Sequence, residues 1–136
     1  VTKGKILIVD DEPLTCQLIS KVLKLHGYDS AILTDSREIV DRATAEKPDL
    51  ILLDYHLGVA FGLDVLKTLK DTPAISEIPV VITSGIDHRK KVTAAGARGF
   101  LQKPFDWTEL VSILETLLHN EPSQSDGGGN GTISDI

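Results

Sequence analysis

Six polar side chains stand where apolar runs stop. Asp10, Asp11 and Glu12 end the run 6–9, Asp54 ends the run 50–53, Ser84 follows V-V-I-T, and Lys103 follows F-L-Q and precedes Pro104. A hard cation such as Mg2+ takes oxygen ligands in near-octahedral geometry and keeps several waters. Two or three of these carboxylates with a loop carbonyl would hold one. Without a cation, clustered carboxylates repel one another and at least one pKa rises; a lysine ammonium such as that of Lys103 offsets the repulsion.

Such residues act together only if the fold gathers them. The runs 6–9 and 50–53 are short, rich in Ile, Leu and Val and bounded by polar residues, the pattern of strands buried on both faces of a parallel sheet. Ligand sites in open parallel sheets lie beyond the carboxyl ends of the strands, so the acidic ends converge there. Pro13 suits a first helical turn, and Leu14, Leu18, Val22 and Leu25, widened by Ile19 and Leu23, predict a helix over 13–26 capped by Gly27. A second strand is expected over 30–33. Asp35 with Glu38 resembles a capping box for a helix burying Ile39, Val40 and Ala43.

After the third strand, 50–54, a loop of small residues over 56–61 leads to a helix carrying Leu63, Val65, Leu66 and Leu69, which stops before Pro73. A strand over 80–83 ends in Ser84 and Gly85. The helix over 89–95 is weakly apolar, with Val92, Ala94 and Ala95. A strand over 100–102 ends at Lys103. Asp106 with Glu109 forms a second capping-box pattern before Leu110, Ile113, Leu114, Leu117 and Leu118. Five strands alternating with five helices imply right-handed crossovers and helices on both faces of the sheet. From residue 121 the chain turns to E-P-S-Q-S-D-G-G-G-N-G, the composition of a flexible linker that would lead to a further domain, so the expected division is a domain over 1–120 and a tail over 121–136.

The chain has 136 residues, 41% hydrophobic, enough for one core. A net charge of −6 argues against a nucleic-acid surface, which needs a basic face. No stretch approaches the ~20 apolar residues of a membrane helix, and no leader pattern opens the chain, so a cytoplasmic location without membrane contact is expected. Starting at Val1 with no Met fits processing or excision from a longer chain. The one cysteine, Cys16, is expected to pack in a core. His26, His56, His88 and His119 lack metal-ligand spacing and are expected in loops or on the surface. Trp107 is expected to open the last helix and pack against a neighbour.

Taken together, the acids after strands one and three, the hydroxyl after four and the Lys-Pro after five resemble the response-regulator receiver domain of two-component signalling, over about residues 5–118. The resemblance implies a flavodoxin-like, doubly wound five-stranded parallel α/β sheet in the order 2-1-3-4-5, an order taken over from that family. It implies that Asp54 accepts the phosphoryl group, that Asp10 and Asp11 with Asp54 and the backbone carbonyl of His56 hold Mg2+, that Ser84 and Lys103 bind the phosphoryl group, and that Ser84 and Phe100 form a switch. Ser84 drawn toward the phosphoryl group would let Phe100 turn inward. Lys103-Pro104 would be a cis bond. The partner would be a histidine kinase or phosphotransfer protein, and the face of helix four, strand five and helix five would dock or form a homodimer.

The chemistry agrees with those roles. An aspartate attacking a phosphoryl group gives an acyl phosphate, and the transfer needs mainly positioning and charge neutralisation, which Mg2+, Lys103 and the Ser84 hydroxyl supply. Gly85 is consistent with an open approach to Asp54. Gly58, where the family usually carries proline, and Phe61-Gly62 in place of Asp-Gly suggest a more mobile loop. His56 and Ile86 occupy the positions that tune hydrolysis in such proteins, and the pair suggests a long-lived phosphoryl state. An aspartyl phosphatase of the haloacid-dehalogenase type would want a second aspartate where His56 stands. A Rossmann-like nucleotide domain would want a glycine-rich loop where Asp10 and Asp11 stand. A receiver-like docking module that takes no phosphate would not need the full set of five residues.

Overall fold

The computed structural model describes residues 2–58 and 60–119; the tail expected over 121–136 lies outside them. Strands β1 (Lys5–Val9), β2 (Asp29–Leu33), β3 (Leu50–Asp54), β4 (Val80–Ser84) and β5 (Gly99–Gln102) form one parallel sheet in the spatial order β2-β1-β3-β4-β5. Helices α1 (Pro13–Leu25), α2 (Ile39–Glu46), α3 (Gly62–Lys70), α4 (Arg89–Ala94) and α5 (Trp107–His119) connect and cover it. This is the expected doubly wound fold.

Period-two alternation along the strands divides the core. Ile6, Ile8, Leu50, Leu52, Val81 and Leu101 face α1 and α5, whereas Leu7, Val9, Ile51, Leu53, Val80, Ile82 and Phe100 face α2, α3 and α4. Both faces of β3 are therefore buried, which is why its sequence is continuously apolar until Asp54.

Three local expectations need correction. The buried face of α1 is Cys16, Ile19 and Leu23, while Leu14, Leu18 and Leu25 are exposed, at 72%, 52% and 84%. The helix is apolar on two sides, and periodicity cannot choose between them; docking on Ile6, Ile8 and Leu50 does. Asp35 does not share a capping box with Glu38. Its carboxylate accepts from the Arg37 backbone amide and side chain, capping a 3-10 turn over Ser36–Glu38 before α2 begins. The second box is present in its reciprocal half, with the Asp106 amide donating to Glu109 Oε1 at 2.9 Å.

The third correction concerns 56–61, expected as a loop. His56–Leu57 pairs antiparallel with Ala60–Phe61 as a two-rung hairpin. Gly58 turns within it at φ +67. Proline, locked near −65°, could not take that conformation, so the departure from the family pattern at residue 58 is a backbone requirement.

Candidate functional site

The strand registers bring the polar ends together. Val9 pairs with Leu53, so Asp10 and Asp54 follow at the same level; Asp54 pairs with Thr83, and Ser84 with Gln102, so Ser84 lies one step beyond that level and Lys103 two. Ligand oxygens of Asp10, Asp11 and Asp54 lie within 4.8 Å of one another. Asp10 and Asp54 are buried, at 4% and 8% exposure, and Asp11 is exposed. Glu12 stands apart and accepts from the Thr15 hydroxyl at 2.8 Å.

Lys103 Nζ sits 3.5 Å from Asp10 Oδ2 and 3.5 Å from Asp54 Oδ1. At that separation it acts as a shared counter-charge more than as a tight hydrogen-bond donor. The peptide bond from Lys103 to Pro104 is cis. Asp10 Oδ1 accepts the Glu12 amide at 3.0 Å, which orients its carboxylate. His56 stands two residues after Asp54, at the start of the hairpin. Ser84 is buried, and its Oγ accepts the Ile86 amide at 3.2 Å. A side chain at Gly85 would meet nothing within 4 Å, as an open approach requires.

The Phe100 ring lies in the core shared with α3 and α4 at 7% exposure, with the Arg89 guanidinium 5.3 Å from its centre. His88 lies in the loop before α4, as expected, half-buried with its ring stacked on Tyr55; the sequence carries no signal for that contact. Trp107 is 43% exposed and meets Phe105 edge-on at 6.1 Å. Cys16 is buried, its thiol donating to the Asp10 carbonyl at 3.4 Å, and burial followed by the nearby Asp10 and Asp11 charges pushes it up to about 11.

Burial pushes the Asp54 carboxyl above its ordinary range, and the Asp10 charge adds to this; Lys103 and the His56 amide act the other way without cancelling it. A carboxyl with a raised folded pKa contributes stability below its unfolded pKa and loses it as pH rises through the folded value. In buffer free of divalent cations, Asp54→Asn is therefore expected to raise stability at neutral pH by about 1–3 kcal/mol, the scale for an incompletely compensated buried charge, read as a higher melting temperature. The gain should vanish near pH 3, where both side chains are neutral; an equal gain at both pH values would contradict it.

The donor set fits a hard cation. Three carboxylate oxygens from two strand ends face a common point, one of them on an exposed residue that leaves room for waters. Residues 6–115 match the family model described as response regulator receiver domain. The chain belongs to that family. Among curated relatives, this receiver domain is 32% identical over 126 residues to the transcriptional regulatory protein PrrA of Mycobacterium tuberculosis, covering 90% of this chain and 53% of PrrA. It is 27% identical to the polar-differentiation response regulator DivK of Brucella anthropi, covering 83% and 94%. The receiver domain spans about half the length of most curated relatives it matches.

Among solved structures it superposes on a chemotaxis response regulator of Vibrio cholerae with a TM-score of 0.78 at 27% identity, covering 85% of this chain and 98% of the other. The receiver domain of a Pseudomonas aeruginosa sensor histidine kinase, described with a magnesium ion coordinated in the active site cleft, gives a TM-score of 0.75 at 25% identity, with 85% and 97% covered. No described helix of the receiver domain is long and apolar enough to cross a membrane.

Proposed function

We propose that this receiver domain takes a phosphoryl group from a histidine kinase or phosphotransfer protein onto Asp54 and that the resulting charge alters a protein-binding face. The observation that carries the reading is a buried carboxylate, Asp54, lying within 4.8 Å of the Asp10 and Asp11 carboxylates and 3.5 Å from the Lys103 ammonium. Asp10, Asp11 and Asp54, with the carbonyl of His56, would hold Mg2+; the likeness to the magnesium-bound Pseudomonas domain supports that choice of ion. When bound, Mg2+ would neutralise phosphoryl oxygens and the crowded carboxylates.

An Asp54 carboxylate oxygen attacks phosphorus and forms an O–P bond while the P–N bond of the partner's phosphohistidine breaks, its electron pair returning to the imidazole nitrogen. Lys103 stabilises charge on the transferring group, and the Ser84 hydroxyl donates to one of its oxygens. Partner docking has a surface to use. The segments leaving β1, β3, β4 and β5 at the carboxyl edge each carry one exposed large apolar side chain: Leu14, Phe61, Ile86 and Trp107. The face of α4, β5 and α5 is the proposed output surface and homodimer contact. With His56 and Ile86 both exposed, the pair offers no buried base beside Asp54, in keeping with slow hydrolysis.

The test is incubation with Mg2+ and acetyl phosphate, followed by intact mass. One phosphoryl per chain is expected, stable in acid, labile in base and absent from Asp54→Asn. A label that persists in Asp54→Asn would overturn the assignment, multiple turnovers at enzyme rates would favour a phosphatase, and no label with partner binding intact would favour a docking module.

A further inference from the structure

Helix α4 has six residues, and its one buried side chain among the described residues is Val92. Its carboxyl end is fixed by the turn that follows, where the Ala97 amide donates to Val92 O at 2.9 Å and the Arg98 amide to Val80 O at 2.8 Å. Its amino end is held in another way. His88 lies flat on Tyr55, with ring centroids 3.9 Å apart and planes 12° from parallel. The next residue, Arg89, holds its guanidinium 5.3 Å from the centre of the Phe100 ring.

Two consecutive residues thus rest on two aromatic rings from different parts of the sheet edge. One ring belongs to the residue directly after Asp54, and the other to β5. His88 Nε2 is buried and meets no hydrogen-bond partner among the described residues, so that nitrogen does not hold the ring, whereas its face rests on Tyr55. The segment leading to His88 starts at Ser84, whose Oγ accepts the Ile86 amide, and Gly85, Ile86 and Asp87 between them are exposed. That segment is the direct covalent link from Ser84 to the two stacks.

We propose that His88 and Arg89 are a paired latch, one half on Tyr55 and the other on Phe100, which sets the position of α4 and through which a change at Asp54 reaches the α4 surface. The trigger rests on the reading of Asp54 as phosphoacceptor; the latch is a property of the unlabelled protein. A stack or cation–π contact of this kind holds an element by amounts that correspond to a few-fold to tenfold change in local opening. In the unlabelled protein the Phe100 ring is the seat for Arg89. His88→Phe should keep the latch, since it keeps a flat ring, and the buried nitrogen among the two it removes, Nε2, makes no bond.

The experiment is amide hydrogen exchange across 89–97 in the full chain, for wild type, His88→Ala, His88→Phe and Arg89→Ala, each before and after Mg2+ and acetyl phosphate, with intact mass read in parallel. In the unlabelled state His88→Ala and Arg89→Ala should speed exchange of these amides about tenfold, while His88→Phe stays near wild type. After labelling, wild type and His88→Phe should change their exchange across 89–97, and His88→Ala, labelled to the same mass, should not. Unlabelled His88→Ala exchanging like wild type would overturn the latch, as would a labelled His88→Ala that responds in full. Absence of the mass shift in wild type would count against Asp54 as acceptor, and the unlabelled comparison would still decide the latch.

Discussion

Gly62→Ala is expected to destabilise the fold by about 3 kcal/mol, the upper part of the range for overpacking. A Cβ at residue 62 would lie 2.7 Å from Tyr55 Cα, 2.9 Å from Asp54 O and 3.1 Å from Tyr55 O. All three are backbone atoms, so no rotamer change relieves the contact. The Gly62 amide also donates to Tyr55 O at 2.6 Å, which pins the start of α3 against the residue after Asp54. Relief requires that bond to break or the end of β3 to move, and either outcome disturbs Asp54. Urea unfolding should show a lower midpoint with an unchanged slope, together with slower labelling by acetyl phosphate. Gly99→Ala is the useful contrast, because the atom it meets most closely is Cδ1, the far end of the Ile113 side chain, which can give way. Equal costs at the two glycines would refute this account of residue 62.

Lys103→Met is expected to slow labelling of Asp54 by about 10²–10³-fold, the scale seen when a single stabilising donor is removed from a transition state. The same substitution should tighten Mg2+ binding. Lys103 Nζ lies 3.5 Å from both Asp10 and Asp54, so removing it leaves the carboxylates with more uncompensated negative charge and a stronger pull on a divalent ion. The two effects have opposite signs, which separates this role from general damage to the fold. Mg2+ titration by calorimetry and labelling rates on the same preparation would measure both. Weaker Mg2+ binding with a proportionate loss of labelling would instead make Lys103 a structural residue.

Much of the site was legible because it lies where apolar runs stop. A buried strand announces its own end, and in a parallel sheet all carboxyl ends lie on one edge, so Asp10, Asp11, Asp54, Ser84 and Lys103 could be brought together from spacing and topology alone. Glu12, equally acidic and adjacent to them, could not be separated from that group by sequence, and only its turn toward Thr15 removes it. The rotation of α1 was illegible for a related reason. Leu14, Leu18, Val22 and Leu25 are as regular a stripe as Cys16, Ile19 and Leu23, and the choice between them belongs to the sheet they dock on.

The departures at Gly58 and Phe61-Gly62 show the limit from the other side. Departure from the family pattern suggested a more mobile loop; Gly58 at a positive φ and Gly62 against the Tyr55 backbone are geometric demands of a small hairpin. By itself the sequence determined the order of elements, the two-sided burial of the sheet and the acidic edge, because periodicity and strand-end chemistry are local properties. Tertiary structure alone decided which face of α1 is buried, that Phe100 is inside, that Lys103 stands equidistant from Asp10 and Asp54, and that His88 lies on Tyr55. Each of these depends on contact between elements distant in the chain, and local propensity carries no information about such contacts.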